Sequence, residues 1–208
     1  MFHTFATAFT TLFVAIGPVE LAAMFLALTP GFDARTKRRL AFVAAGVAAG
    51  VLLAFAIGGL ELLSLIGVGL PAFRTAGGVL LLMTSAEMLL RRHTGLTSIT
   101  PPEEMEAKQQ HDIAIFPLAI PLTAGPGSMT AIVLLMGRAH THIAEGTVLA
   151  ALLANILLAL VFMLLSQGLM RVLGTTGVNV VARVSGILLA ALAMQFIFDG
   201  LTASKVFG

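Results

Sequence analysis

Glu20 is the one carboxylate near the middle of an apolar run long enough to span a membrane, and it follows Gly17-Pro18 by two residues. Ionisation at that depth is expensive, so such a group points to function: carrying a coupling proton or fixing an amino group. The plainer use is a helix cap, because a carboxylate in a first helical turn accepts bonds from the free N–H groups there. A related stretch, Leu118 to Thr130, reads L-A-I-P-L-T-A-G-P-G-S-M-T. Proline removes a backbone donor and glycine holds a helix weakly, so Pro121 and Gly125-Pro126-Gly127 predict an interruption inside the membrane. Proline suits the first position of a helix, and new half-helices are expected at Pro18 and Pro126. Each start would aim unpaired N–H groups and a partial positive charge at the centre, able to receive a carboxylate. The candidate substrate contacts are therefore Gly17, Pro18 and Glu20 at the first break, with Thr123, Gly125, Pro126, Gly127 and Ser128 at the second. Thr130 would add a further hydroxyl. The alternative is a pair of kinks satisfied by Ser and Thr side chains.

Other polar residues in the apolar runs read more plainly. Asn155 suits an interhelical hydrogen bond, Glu87 a pair with Arg91 one turn away, and Arg74 an interface anchor. His140 and His142 form an H-x-H without further convergent ligands, so no metal site is expected. No histidine falls well inside a span, and no phosphate loop or nucleophile elbow is present. The sequence therefore suggests neither an enzyme nor a cofactor.

The elements that must hold these residues are membrane helices. The chain has 208 residues, 58% of them hydrophobic and 11% charged, and its mean hydropathy of +1.02 is that of an integral membrane protein. A net charge of +2 carries no nucleic-acid footprint, and the absence of cysteine excludes disulfides and thiolate metal sites. With a span needing roughly 20 apolar residues, six segments qualify: Thr4 to Leu28, Leu40 to Leu60, Ala72 to Leu90, Ile113 to Met136, Gly146 to Met170 and Val178 to Leu201. Glu61 to Pro71 is expected to be a short interfacial or re-entrant piece. The expected fold is all-α and polytopic, with the first and fourth helices discontinuous.

Orientation follows the cations. Arg35, Lys37, Arg38, Arg39, Arg91, Arg92, Lys108 and Arg171 share one side, against Arg138 and Lys205 on the other. The positive-inside rule places both termini outside the cytoplasm. Residues 93–111 read as a cytoplasmic linker between a first three-helix repeat over 1–92 and a second over 112–208.

Pro18 and Pro126 lie 108 positions apart (126 minus 18), and the same shift pairs Ala23 with Ala131, Gly78 with Gly186 and Leu80-Leu81 with Leu188-Leu189. Three spans per half is an odd number, so the second half enters the membrane from the opposite side. Inverted repeats of this kind build secondary transporters, with the site near the midplane where broken helices meet. On the second span, Gly46, Gly50, Ala54 and Gly58 form a smooth stripe for helix packing, internal or between two copies of the chain.

Phe116-Pro117-Leu118-Ala119-Ile120-Pro121-Leu122 with Ala124-Gly125-Pro126-Gly127, Phe73-Arg74-Thr75-Ala76-Gly77-Gly78-Val79-Leu80-Leu81, and Phe25-Leu26-Ala27-Leu28-Thr29 together resemble the MarC family of bacterial and archaeal membrane proteins. The resemblance runs along nearly the whole chain. It implies six helices in the inner membrane, kinship with amino-acid exporters of the LysE type, and transport of small neutral amino acids such as glycine and alanine, coupled to protons. The first helix departs from the family, which usually shows Asn-Pro-x-Gly where this chain has Gly17-Pro18-Val19-Glu20. A passive channel and a non-transporting membrane scaffold are the alternatives to a transporter.

Overall fold

A computed structural model describes residues 2–90 and 114–204. The linker over 93–111, Arg91, Arg92 and Lys205 lie outside the described residues. The described chain is helical throughout: α1 (Phe2–Ile16), α2 (Pro18–Leu28), α3 (Ala34–Leu65), α4 (Leu70–Leu90), α5 (Ala114–Thr123), α6 (Pro126–Arg138), α7 (His142–Leu164) and α8 (Ser166–Ala203). Among the described residues, five stretches are long and apolar enough to cross a membrane: Phe2–Leu28, Ala34–Leu65, Leu70–Leu90, His142–Leu164 and Ser166–Ala203. The remaining expected span, Ile113 to Met136, is met over its described residues by α5 and α6, of 10 and 13 residues, each too short alone.

Three boundaries differ from the sequence reading. Glu61 to Leu65 is no separate interfacial piece but the last turns of the 32-residue α3. Gly67, at φ 72, stops it, with Gly67 N–H bonded to Ser64 O at 3.1 Å and Val68 N–H to Leu63 O at 2.9 Å. A left-handed glycine with this bond pair is the Schellman stop, which satisfies carbonyls the helix end leaves open. The fifth span ends at Leu164, short of Met170. Residues 166–173 instead form the first part of α8, where Gly174 (φ 60, ψ −177) sets a kink.

The stripe Gly46-Gly50-Ala54-Gly58 is not the internal packing face of α3. Its buried positions include Ala41, Ala44, Ala45, Ala48, Leu52 and Ala56. Gly46 and Gly50, two positions on from Ala44 and Ala48, fall on the far side of a helix, and nothing lies within 4 Å of a Cβ built on Gly46, Gly50 or Gly58. Alanine burial won because α3 packs on α5, α6 and α7, leaving the glycines on the outer face of the bundle. Ile57, Leu65, Val172 and Ile187 are likewise more than half exposed, as suits side chains solvated by acyl chains.

The two halves pack by exchange. α1 and α2 lie on α7, α5 and α6 on α3; α4 meets α6, α8 meets α2, and α4 and α8 run along each other. One core joins α1, α2, α3, α5, α6 and α7; a smaller one gathers around Leu81, Leu134, Leu189 and Phe196. The shift of 108 recurs in the helix starts, Pro18 with Pro126 and Ala34 with His142. It recurs in a contact too. A Cβ on Gly78 would stand 2.8 Å from Ala193 O, and one on Gly186 would stand 3.3 Å from Ser85 O. Adding 108 to the first glycine and subtracting it from its partner turns one contact into the other.

Candidate functional site

The first break is a single residue. Gly17 sits at φ 61, ψ 59 between α1 and α2, with Pro18 in the first turn of α2. Its N–H bonds Phe13 O at 3.0 Å and its carbonyl accepts from Leu21 N–H at 2.9 Å. No side chain caps α2. The left-handed backbone favours glycine, and the carboxylate of Glu20 folds back over it: a Cβ on Gly17 would lie 3.2 Å from Glu20 Oε2. No hydrogen bond or ion pair reaches Glu20 from the described residues. The carboxylate therefore does not cap the helix within hydrogen-bonding distance; it faces open space.

That space is a cavity of about 500 Å³. Gly17, Glu20 and Met24 line one wall, Thr84 and Glu87 of α4 another, Thr175 and Asn179 of α8 a third, and Leu122 of α5 contributes at the second break. All lie from the break toward the end of the bundle where α2 leads to the Arg35 to Arg39 stretch, α4 ends and α8 begins. Pro18 borders a smaller recess beside it, with Glu20, Val181 and Ser185.

The second break resolves differently. Pro117 and Pro121 offer no N–H groups, and the chain widens into π-helical turns over α5. Ala124 N–H bonds Ala119 O at 2.8 Å, and the Thr123 hydroxyl donates to Leu118 O at 2.7 Å. Gly125 is extended (φ −89, ψ 172) and Pro126 opens α6. Ser128 Oγ stands 2.9 Å from Thr123 O and 3.1 Å from Gly125 O. Thr123, Ser128 and Thr130 are buried, and the first two hydroxyls are spent on carbonyls the break frees. A Cβ on Gly127 would meet Leu81 at 3.1 Å, so this glycine brings α6 close to α4. Of the eight residues read from the sequence, the structure brings Gly17 and Glu20 to the cavity and Pro18 to the recess beside it; Thr123, Gly125, Pro126, Gly127 and Ser128 are not among the cavity's lining residues.

Thr84, Thr175 and Asn179 were missed. Asn179 sits at the margin of the expected sixth span, and nothing in its spacing marks it. Only the kink at Gly174 and the α2–α8 contact bring it beside the first break. Asn155 is fully buried and donates from Nδ2 to Phe9 O at 3.1 Å and Ala151 O at 2.9 Å, the interhelical role its chemistry suggests. Its Oδ1 has no partner among the described residues. His142 lies 3.1 Å from Glu145 Oε2, one turn along α7. At the end of the bundle away from the cavity, Arg138 of α6 pairs with Asp199 of α8, which also accepts from Gln195 Nε2 at 2.7 Å. Arg138 also lies over Phe196, 5.3 Å from the ring centroid, and Arg74 of α4 stands in electrostatic reach of both charges.

The model of the MarC family of integral membrane proteins matches residues 2–204. The chain belongs to the MarC family. It is 35% identical over 198 residues to a UPF0056 membrane protein of Aquifex aeolicus, covering 95% of this chain and 92% of that one. It is 31% identical to the UPF0056 membrane protein YvbG of Bacillus subtilis (97% and 95% covered) and 30% to YhcE of Escherichia coli (96% and 93%). No solved structure matches the chain. Like its MarC relatives, this is an integral membrane protein, and the family's match spans both broken helices.

Proposed function

We propose that this MarC protein is a secondary transporter of small solutes, with small neutral amino acids of the glycine and alanine class as cargo and protons as the coupling ion. The observation that carries the reading is the cavity at the α1–α2 break, roomy enough for an amino acid and lined by Glu20, a carboxylate without a partner among the described residues. The two halves act as an inverted repeat in which α5 and α6 together make the fourth crossing. The helix starts related by 108 positions and the exchanged packing support this. The protein sits in the bacterial inner membrane with both termini periplasmic, as the cation distribution suggests, so the cavity opens toward the cytoplasm. The reading involves no catalytic step and no cofactor.

Proteoliposomes test it: alanine and glycine exchange across the membrane and accumulate under an imposed proton gradient. Saturable counterflow separates a transporter from a passive channel, which gives flux without either property. Failure of every small amino acid to exchange overturns the substrate class. The open Gly46-Gly50 face is where a second copy would pack, and Gly50→Cys should then crosslink between chains in the membrane.

A further inference from the structure

We propose that Glu20 is a shared seat for a proton and for the ammonium group of the cargo, so that occupancy by one expels the other. The proposal rests on the transport reading of the same cavity and assigns its exchange step to one side chain. Glu20 lies at the break, lines both the cavity and the recess beside it, and has no partner among the described residues. Among the cavity's described lining there are two carboxylates, Glu20 and Glu87, the amide of Asn179 and the hydroxyls of Thr84 and Thr175, and no Lys, Arg or His. The carboxylate of Glu20 in such a lining favours a cation over a free anion.

The elements packed on α2 are α5, α7 and α8. α5 carries no titratable group. On α7, Glu145 and His142 pair with each other in the first turn. On α8, Arg171 and Arg183 are exposed, and Asp199 is bound to Arg138 at the far end. Among the described residues, Glu87, across the cavity on α4, is the other titratable side chain that lines the site.

The exchange balances. A protonated Glu20 gives its proton to water as an ammonium docks, and the resulting carboxylate–ammonium pair carries the same net charge as the acid it replaces. With neither proton nor ammonium, Glu20 leaves the seat itself uncompensated in an apolar surround and least able to reorient across the membrane, while the carboxylate of an amino-acid cargo lies outside this pair and falls to the Thr84 and Thr175 hydroxyls and the Asn179 amide of the same cavity. Passage of the loaded forms and not of the bare one is what converts binding into obligatory exchange.

The test titrates purified protein with ethylammonium chloride, an amine without a carboxylate, in matched sodium chloride, and reads binding by the shift in thermal unfolding. Propionate is the carboxylate-only control. In the wild type, the apparent Kd for ethylammonium rises as pH falls through the range in which Glu20 takes up its proton, approaching tenfold per unit below it, and propionate does not bind. Glu20→Gln weakens ethylammonium by about tenfold or more and removes the pH dependence; Glu20→Asp keeps it. Glu87→Gln leaves the pH dependence in place. A flat wild-type profile, pH dependence that survives in Glu20→Gln or disappears only in Glu87→Gln, or binding of propionate overturns the proposal. If Glu20→Gln does not fold, the wild-type and Glu20→Asp profiles still decide. Counterflow in vesicles is read separately: exchange-type binding without flux sinks the transport reading alone, and alanine flux with flat binding sinks the shared seat alone.

Discussion

Single residues show how a membrane interior sorts polar groups. Asn155 was legible as an interhelical donor because an amide in an apolar helix must find a partner, and the partner, Phe9 O on α1, belongs to the other half of the chain. Asn155→Ala is expected to lower stability by about 1 kcal/mol, read as a fall in thermal midpoint in detergent. The Arg138–Asp199 pair was not legible, since 61 positions separate its members. Its side chains are 39% and 28% exposed, so screening limits its worth: Asp199→Asn should cost less than about 1 kcal/mol, and less still at high salt.

Whole elements show why a small-residue stripe can stay unpacked while another glycine packs. The sequence marks Gly46-Gly50-Ala54-Gly58 for packing and Gly78 only as the repeat partner of Gly186, but it is Gly78 that meets a neighbour, the backbone of α8, while Gly46, Gly50 and Gly58 meet nothing. Gly78→Ala forces a methyl against Ala193 O and is expected to cost about 1–3 kcal/mol. Gly46→Ala meets nothing and should be neutral or, by helix propensity, stabilising by up to about 1 kcal/mol. Thermal unfolding of the two variants side by side checks the contrast. At the start of α3, Asp33 accepts from Arg35 N–H at 3.2 Å, and its hydrogen bond to the Thr36 side chain holds its carboxyl below the usual carboxylate range. A carboxyl depressed in the folded state stabilises above its unfolded pKa, and loses that contribution as pH falls through the folded one. Asp33→Asn should therefore loosen the first turn of α3 near pH 7 and match the wild type near about pH 3, seen as a difference in hydrogen exchange over residues 34–38.

At the scale of the whole molecule, the two halves hold each other. Each broken helix lies on the other half's second helix, and α4 with α8 forms a common spine. The cavity lies between that spine and the first break, so motion of the first helix against α4 and α8 is what would open or close it. The chain has no cysteine, which makes it a clean background for bridging. Thr84→Cys with Asn179→Cys places thiols on two walls of the cavity. A short bis-thiosulfonate bridge is expected to stop counterflow, and a reductant to restore it; unaltered counterflow in bridged protein would show that this space lies off the solute path.

Much of the fold is written locally. Hydropathy marks the spans, and proline with glycine marks both breaks, because missing donors and a left-handed residue act on the backbone within one or two turns. The difference between the breaks is not local. Both read as Gly-Pro starts of half-helices, yet at Gly17 no side chain answers for the opened turn, while at Gly125 the hydroxyls of Thr123 and Ser128 bond the freed carbonyls in a packed interior. Which break faces a cavity depends on what α4 and α8 set beside it. Thr84, Glu87 and Asn179 share a cavity with Glu20 only because glycine contacts hold those two helices together, an arrangement between residues about 100 positions apart that no local pattern encodes.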